Sequence, residues 1–239
     1  MSAIWHDLEC GSYTQDLGLW LRLAREYGDP VLDIGAGTGR TALELTRAGH
    51  AVTALDSDPD LLAGLHTRAA AGGLEVETVV ADARSFALSR SFALCIVPMQ
   101  TIQLLGGAPG RISFLRRAGE HLEDGGRLAI ALTDDLDLFE VAQGAPGPLP
   151  DVVEIDGVVY CSRPTAVRAE ADGFLLERRR ETVAADGTLA VELDQIHLDC
   201  LDPDTLEREA AAVGLTPVDR MNVAPTTDYV GSVVVILGG

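Results

Sequence analysis

Three glycines at alternate positions, Gly35, Gly37 and Gly39, follow the apolar run Val31-Leu32-Asp33-Ile34 and lead into a helix-forming stretch. A strand that turns into a helix through glycines brings bare backbone close to a ligand and presents the unpaired N–H groups of the helix start. The dinucleotide fingerprint GxGxxG needs a glycine at position 40, where this chain has Arg40. Its GxGxG spacing therefore disfavours NAD or FAD. Asp56 ends the apolar run Ala51-Val52-Thr53-Ala54-Leu55, where a carboxylate can accept both hydroxyls of a ribose and would repel a 2′-phosphate. Asp82, followed by Ala83, closes the run 74–80, where a carboxylate can accept from an exocyclic adenine amine. Together these groups describe an adenosine pocket along the carboxyl edge of a sheet.

The elements that must position them alternate. Near-helical spacing predicts a helix over 13–27, stopped by Gly28-Asp29-Pro30. Strands are expected at 31–34, 51–55, 74–80, 92–97 and 127–133, with helices at 41–48, 59–71 and 112–122 between them. Such alternation argues for βαβ units and parallel strands. Beyond the Pro/Gly-rich linker 144–150, Asp-Gly pairs at 156–157, 172–173 and 186–187 separate β-rich runs, so 152–200 reads as an antiparallel meander. Asp202-Pro203 starts a last helix, and 215–223 and 230–237 read as closing strands. The fold class is α/β, a doubly wound, Rossmann-like sheet with an antiparallel finish and an inserted β meander.

With 239 residues, the chain reads as one domain: a helical segment 1–30, a core 31–143, the inserted β lid or sheet extension 151–200 and a closing segment 201–239. A hydrophobic content of 47% suffices for a packed core. The 37 acidic against 18 basic residues give a net charge of -19, which argues against nucleic acid and anionic membranes as partners. The 18 basic residues are all arginine, so Schiff-base chemistry and a GK[ST] phosphate loop are excluded. Four dispersed cysteines show no metal spacing and suit a reduced, cytoplasmic protein. The amino terminus shows no signal-peptide pattern, and no apolar run is long enough to span a membrane.

The segments LDIGAGTGR at 32–40, ALDSD at 54–58, VVADARSF at 79–86, FALCIVPMQTIQLL at 92–105 and LEDGGRLAIAL at 122–132, in this order, resemble the class I S-adenosylmethionine-dependent methyltransferases. The resemblance implies a seven-stranded, mostly parallel sheet whose last strand is antiparallel. It implies S-adenosyl-L-methionine as cofactor and S-adenosyl-L-homocysteine as product. By the same resemblance, Gly35, Ala36, Gly37 and Gly39 pack on the methionine part with Asp33 supporting the loop, and Asp56 holds the ribose. Ser57 lies on the adenine, whose edge meets Asp82 and Ala83. Val97, Pro98 and Met99 pass beside the sulfonium, and Tyr13 closes over the cofactor.

The Asn/Asp-Pro-Pro-aromatic motif of amino-methylating nucleic-acid and protein enzymes is replaced by Pro98-Met99-Gln100-Thr101, which argues against nucleobase methylation, while the charge and short length favour a small-molecule acceptor. A sulfonium activates its own methyl group, so orientation and exclusion of water suffice and no fixed catalytic triad is expected. Gln100 and Gln103 are candidates to orient the acceptor, and His197 is a candidate base. His50, His66 and His121 read as structural. Asp134, Asp135 and Asp137 read as a solvated helix start and not a metal site. Arg178-Arg179-Arg180 reads as a solvent-paired run along a strand. The alternatives are a domain that binds or senses the cofactor without turnover, and a nicotinamide-dependent oxidoreductase, which Arg40 opposes. A homodimer is left open.

Overall fold

The computed structural model describes residues 2–133, 136–142, 144–226 and 229–239. Its main sheet holds β1 (Val31–Ile34), β2 (Val52–Asp56), β3 (Glu77–Val80), β4 (Phe92–Val97), β5 (Leu122–Leu132), β11 (Thr216–Val223) and β12 (Ser232–Gly238). The spatial order is β11-β12-β5-β4-β1-β2-β3. β1 pairs in parallel with β2 and β4, β2 with β3, and β4 with β5. β12 lies between β5 and β11 and is antiparallel to both. The order reverses beside β1, which opens the crevice where ligands bind in such sheets.

The central strands are apolar on both faces because helices cover both. Val31 and Ile96 pack with Trp20, Leu23, Leu45 and Leu65 on one side. Those side chains come from α2 (Leu17–Tyr27), α3 (Arg40–Arg47) and α4 (Pro59–Ala71). Leu32 and Val97 pack on the other with Phe114, Leu115 and Leu206, from α5 (Gly107–Glu120) and α6 (Pro203–Ala211). Each such burial contributes about 1.5 to 3 kcal/mol, so the sheet is the rigid platform of the molecule. Asp58 caps α4 by accepting from Asp60 N–H at 2.8 Å, and Asp202 caps α6 by accepting from Thr205 N–H at 2.8 Å.

The expected meander forms a second, antiparallel sheet. β7 (Asp151–Ile155), β8 (Val158–Ala169), β9 (Gly173–Val183) and β10 (Leu189–Asp199) follow one another, and β6 (Phe139–Glu140) also pairs with β8. Asp156 and Gly157 have φ of 52° and 76°, the positive pair that a two-residue hairpin between β7 and β8 demands.

Several local expectations differ from the structure, among them β3, which begins at Glu77 and not at 74. A first helix, α1 (Ser2–Cys10), precedes α2, and α2 begins at Leu17. Asp16 stands at its cap position but spends its side chain elsewhere. α5 begins at Gly107, not at 112, because Asp199 accepts from Gly107 N–H at 2.7 Å and supplies the helix start from far along the chain. β5 begins at Leu122, and the Gly-rich turn 124–126 is taken up inside the strand as a register shift from Leu122 to Arg127.

Candidate functional site

The glycine turn is fixed from three directions. Gly35 N–H and Ala36 N–H both donate to the Leu55 carbonyl, at 2.8 and 3.0 Å, tying the turn to the end of β2. Gly37 N–H donates to Asp56 Oδ2 at 2.8 Å, and Asp58 N–H donates to Asp56 Oδ1 at 2.9 Å. Asp56 is thus a planted carboxylate, 9% exposed, at the carboxyl edge of the sheet. A Cβ at Gly35 would stand 2.5 Å from the Thr101 side chain, and one at Gly37 2.5 Å from the His6 ring. Positive φ at both, 74° and 55°, adds a backbone reason for glycine.

Asp33 lies beneath this turn, almost wholly buried, and its carboxyl has no well-formed hydrogen bond among the described residues beyond a marginal approach of the Ala42 backbone. Burial pushes its pKa to about 7 against the opposing pull of Arg40. A buried polar group without a partner is costly unless something supplies one. A carboxyl in that state under a glycine turn at the carboxyl edge of the sheet is a candidate functional-site feature.

Ser57 is exposed, and Ala83 is partly exposed at the same edge. Asp82 accepts from Arg84 Nε at 2.9 Å and Nη2 at 2.6 Å. These hydrogen bonds, the largest influence on it, lower its pKa. Val97 and Pro98 are buried at the end of β4, and Met99 has φ of 57°. A non-glycine residue in the left-handed region costs about 1 to 3 kcal/mol and marks a functional edge more often than a scaffold. Thr101 Oγ1 donates to the Pro98 carbonyl at 3.1 Å, so the β4 loop packs directly on the glycine turn.

Several sequence-predicted residues take other roles. Gln103 is fully buried. Its Nε2 donates to the carbonyls of Thr133 and Asp199, at 2.9 and 3.0 Å, and its Oε1 accepts from Thr133 N–H at 2.9 Å. It staples the end of β5 to the end of β10 and does not orient an acceptor. Gln100 stays partly exposed beside Met99. Tyr13 is buried, its ring centroid 5.1 Å from the Arg40 guanidinium carbon, just after the glycine turn, and 5.0 Å from the Tyr229 ring.

His197 is 37% exposed beside Glu170 and Asp172, with Nε2 3.4 and 3.3 Å from their oxygens. It lines a cavity of about 450 Å³ with Arg111, Asp172 and Asp199, at the amino end of α5. No contact of His197 with the glycine turn is recorded among the described residues. Asp134 and Asp135 lie outside the described residues. His121 accepts from Leu88 N–H at 2.8 Å through Nε2 and is structural.

Sequence reasoning missed α1. Trp5 packs edge-on against Tyr160 of β8, with ring centroids 5.4 Å apart. Glu9 accepts from Ser162 at 2.6 Å and from Arg180 at 2.8 and 2.7 Å. Arg178 donates to Ser162 and Asp151, at 2.8 and 2.6 Å. Arg178 and Arg180 therefore turn toward α1 and are mostly buried, where Glu9 pairs with both and Asp151 and Asp194 complete the set. On the same helix, Asp7 accepts from Thr38 Oγ1 at 2.6 Å, next to Gly37. α1 thus joins the glycine turn to the second sheet.

Comparison with known proteins agrees with this geometry. A family model described as a methyltransferase domain matches residues 31–126. An uncharacterized protein of Mycobacterium tuberculosis is 44% identical over 62 residues, 26% of this chain and 23% of that protein. The cypemycin N-terminal methyltransferase of a Streptomyces species is 31% identical over 117 residues, 49% of this chain and 46% of that protein. These matches span about a quarter to a half of the curated relatives' length. Among solved structures, the S-adenosylmethionine-bound aminopentose methyltransferase CalS10 of Micromonospora echinaspora superposes with a TM-score of 0.67. It is 19% identical, with 95% of this chain and 92% of that one covered. That likeness shows the shared fold.

Proposed function

We propose that this chain belongs to the class I S-adenosylmethionine-dependent methyltransferases and transfers a methyl group to an amine of a small molecule, a reading supported by the methyltransferase-domain match over residues 31–126 and by the sheet order. The observation that carries the cofactor reading is the hydrogen bond from Gly37 N–H to Asp56, which locks the glycine turn against the ribose-holding carboxylate. The residues fit the cofactor: the glycine turn is tied to the planted Asp56 carboxylate at the carboxyl edge of the sheet, and the deeply buried Asp33 carboxyl lies beneath it.

When bound, S-adenosylmethionine supplies a methyl group already activated by sulfonium charge. The protein's work is then to bind, orient and exclude water, and orientation alone is worth on the order of 7 to 11 kcal/mol. Gly35 to Gly39 hold the amino-acid part, with Asp33 supporting the loop. Asp56 holds the ribose diol, Ser57 covers the adenine, and Asp82 and Ala83 face its edge. Val97, Pro98 and Met99 wall the reacting centre, where the left-handed backbone of Met99 fixes the shape of the β4 loop. Gln100 follows Met99 in the chain and orients the acceptor, while His197 and Asp172 line a separate cavity at the amino end of α5.

Two observations favour an amine. The cypemycin enzyme and CalS10 are by name an N-terminal and an aminopentose methyltransferase. The net charge of -19 also draws a cationic acceptor to the protein. The four thiols are free, which fits a reducing, cytoplasmic setting. The unpaired edge of β10 leaves a surface for a homodimer.

The test is incubation with S-adenosylmethionine and paired acceptors, amino sugars and amino-terminal peptides against their hydroxyl counterparts. Mass spectrometry is expected to show a gain of one methyl on an amine. Methylation of the hydroxyl members alone would overturn the amine assignment, and cofactor binding without any product across the panel would favour a sensing domain.

A further inference from the structure

His6 is a titratable side chain on the cofactor turn that the mechanism above does not use. It reaches the turn from α1, and its Nε2 and Cε1 stand 2.5 and 2.6 Å from the point where a Gly37 Cβ would be. Its Nδ1 lies 3.2 Å from Thr38 Oγ1 and 4.0 Å from Asp7 Oδ1.

The hydrogen-bond pattern fixes the ring's tautomer. Thr38 has a single hydroxyl proton, and Oγ1 donates it to Asp7 at 2.6 Å. Asp7 also accepts from Arg68, and it is an ionised acceptor with nothing to give back. Although burial pushes the Asp7 carboxyl up, the nearby His6 ring and the hydrogen bonds from Arg68 and Thr38 outweigh it and bring its pKa to about 2. Thr38 Oγ1 can therefore only accept from His6, so Nδ1 carries the proton. In the neutral ring, the Nε2 lone pair is left over the glycine turn, without a hydrogen-bond partner among the described residues.

We propose that the Nε2 lone pair of His6 accepts a hydrogen bond from the α-ammonium group of the cofactor's amino-acid part. The proposal rests on the cofactor reading above, which lays that part on Gly35 to Gly39. An ammonium is a cationic donor that matches a lone pair, whereas a carboxylate in the same place would face it as a second acceptor. His6 is then a cofactor-positioning residue: α1 holds the amino-acid part on the turn, and Asp7 and Thr38 hold the ring in the accepting tautomer.

The experiment is calorimetric titration of the full chain with two ligands, S-adenosylhomocysteine and 5′-methylthioadenosine, which lacks the amino-acid part. In His6→Phe, which keeps a ring over Gly37 without a lone pair, affinity for S-adenosylhomocysteine is expected to fall about tenfold while 5′-methylthioadenosine binds as before. His6→Gln, with a carbonyl acceptor near the same position, is expected to recover part of the loss. Equal weakening of both ligands, or no change with S-adenosylhomocysteine, would overturn the proposal. Failure of the unmutated protein to bind either ligand would instead remove the cofactor reading and the proposal with it. A side-chain nitrogen NMR spectrum of the unmutated protein decides the matter independently of folding of the variants. The neutral His6 ring is expected to show the proton on Nδ1, and a proton on Nε2 would contradict it.

Discussion

Arg40 donates to both carboxylate oxygens of Asp16, Nη1 to Oδ1 at 2.5 Å and Nη2 to Oδ2 at 2.8 Å, with both side chains almost wholly buried. Trp20 Nε1 donates to the same Oδ2 at 2.8 Å, and Arg40 also donates to the Tyr13 carbonyl at 2.9 Å. The residue that breaks the dinucleotide fingerprint is therefore the pin between α2 and the first turn of α3. A third glycine could not make that contact.

Removing one partner of such a pair leaves an uncompensated buried charge, at about 3 to 5 kcal/mol. Arg40→Ala is expected to lower Tm by on the order of 10 °C. The double variant Arg40→Met with Asp16→Leu should regain most of the loss, since neither charge is then stranded. Thermal unfolding of the three proteins checks this, and a single variant that melts like the parent would contradict it.

At Gly37, a side chain meets both the His6 ring and a positive φ of 55°. Gly37→Ala is expected to weaken S-adenosylhomocysteine binding more than tenfold. Gly49, with φ of 96° and open space around it, gives the control: Gly49→Ala should lose about 1 to 2 kcal/mol of stability and no affinity. Equal affinities for the two variants would show that backbone strain alone matters at the turn.

Asp33 makes stability depend on pH with a definite sign. Its folded pKa of about 7 lies above the ordinary 3.8, so between those values the native state holds a proton that the unfolded chain releases. Stability from this group is therefore present at the acid end of the window and is lost as pH rises through 7. Asp33→Asn, which cannot ionise, is expected to raise Tm relative to the parent at pH 8, with the difference shrinking toward pH 4. A variant equally or less stable than the parent at pH 8 would show that the buried carboxyl is paired.

The four thiols should separate by reactivity. Burial pushes Cys10 up to about 11 and Cys95 higher still, while Cys200 is exposed. An aromatic disulfide reagent at pH 8 is expected to modify Cys200 first and Cys95 only on unfolding. Fast modification of Cys95 in the native protein would contradict its place in the core.

The glycine turn, the placement of Asp56 and the Asp-Gly hairpin could be read from sequence because their physics is local: the turn follows its strand, Asp56 ends its own strand, and positive φ at 156 and 157 needs only those residues. α1 could not be. Its residues SAIWHDLEC carry no helix cap, and its partners Tyr160, Ser162 and Arg180 lie more than 150 positions away. Gln103 was misjudged for the same reason, since a polar residue after a strand reads as exposed until the carbonyls of Thr133 and Asp199 meet it. The start of α5 depends on Asp199 in the same way.

The central claim is that the Gly35–Gly39 turn and Asp56 form a pocket for the adenosyl cofactor. Calorimetric titration with S-adenosylhomocysteine, with NADH as the control ligand and Asp56→Ala as the second protein, tests it most directly. Saturable binding of S-adenosylhomocysteine alone, weakened at least tenfold in the variant, is the predicted result. Binding of NADH, or no binding of S-adenosylhomocysteine, would contradict it.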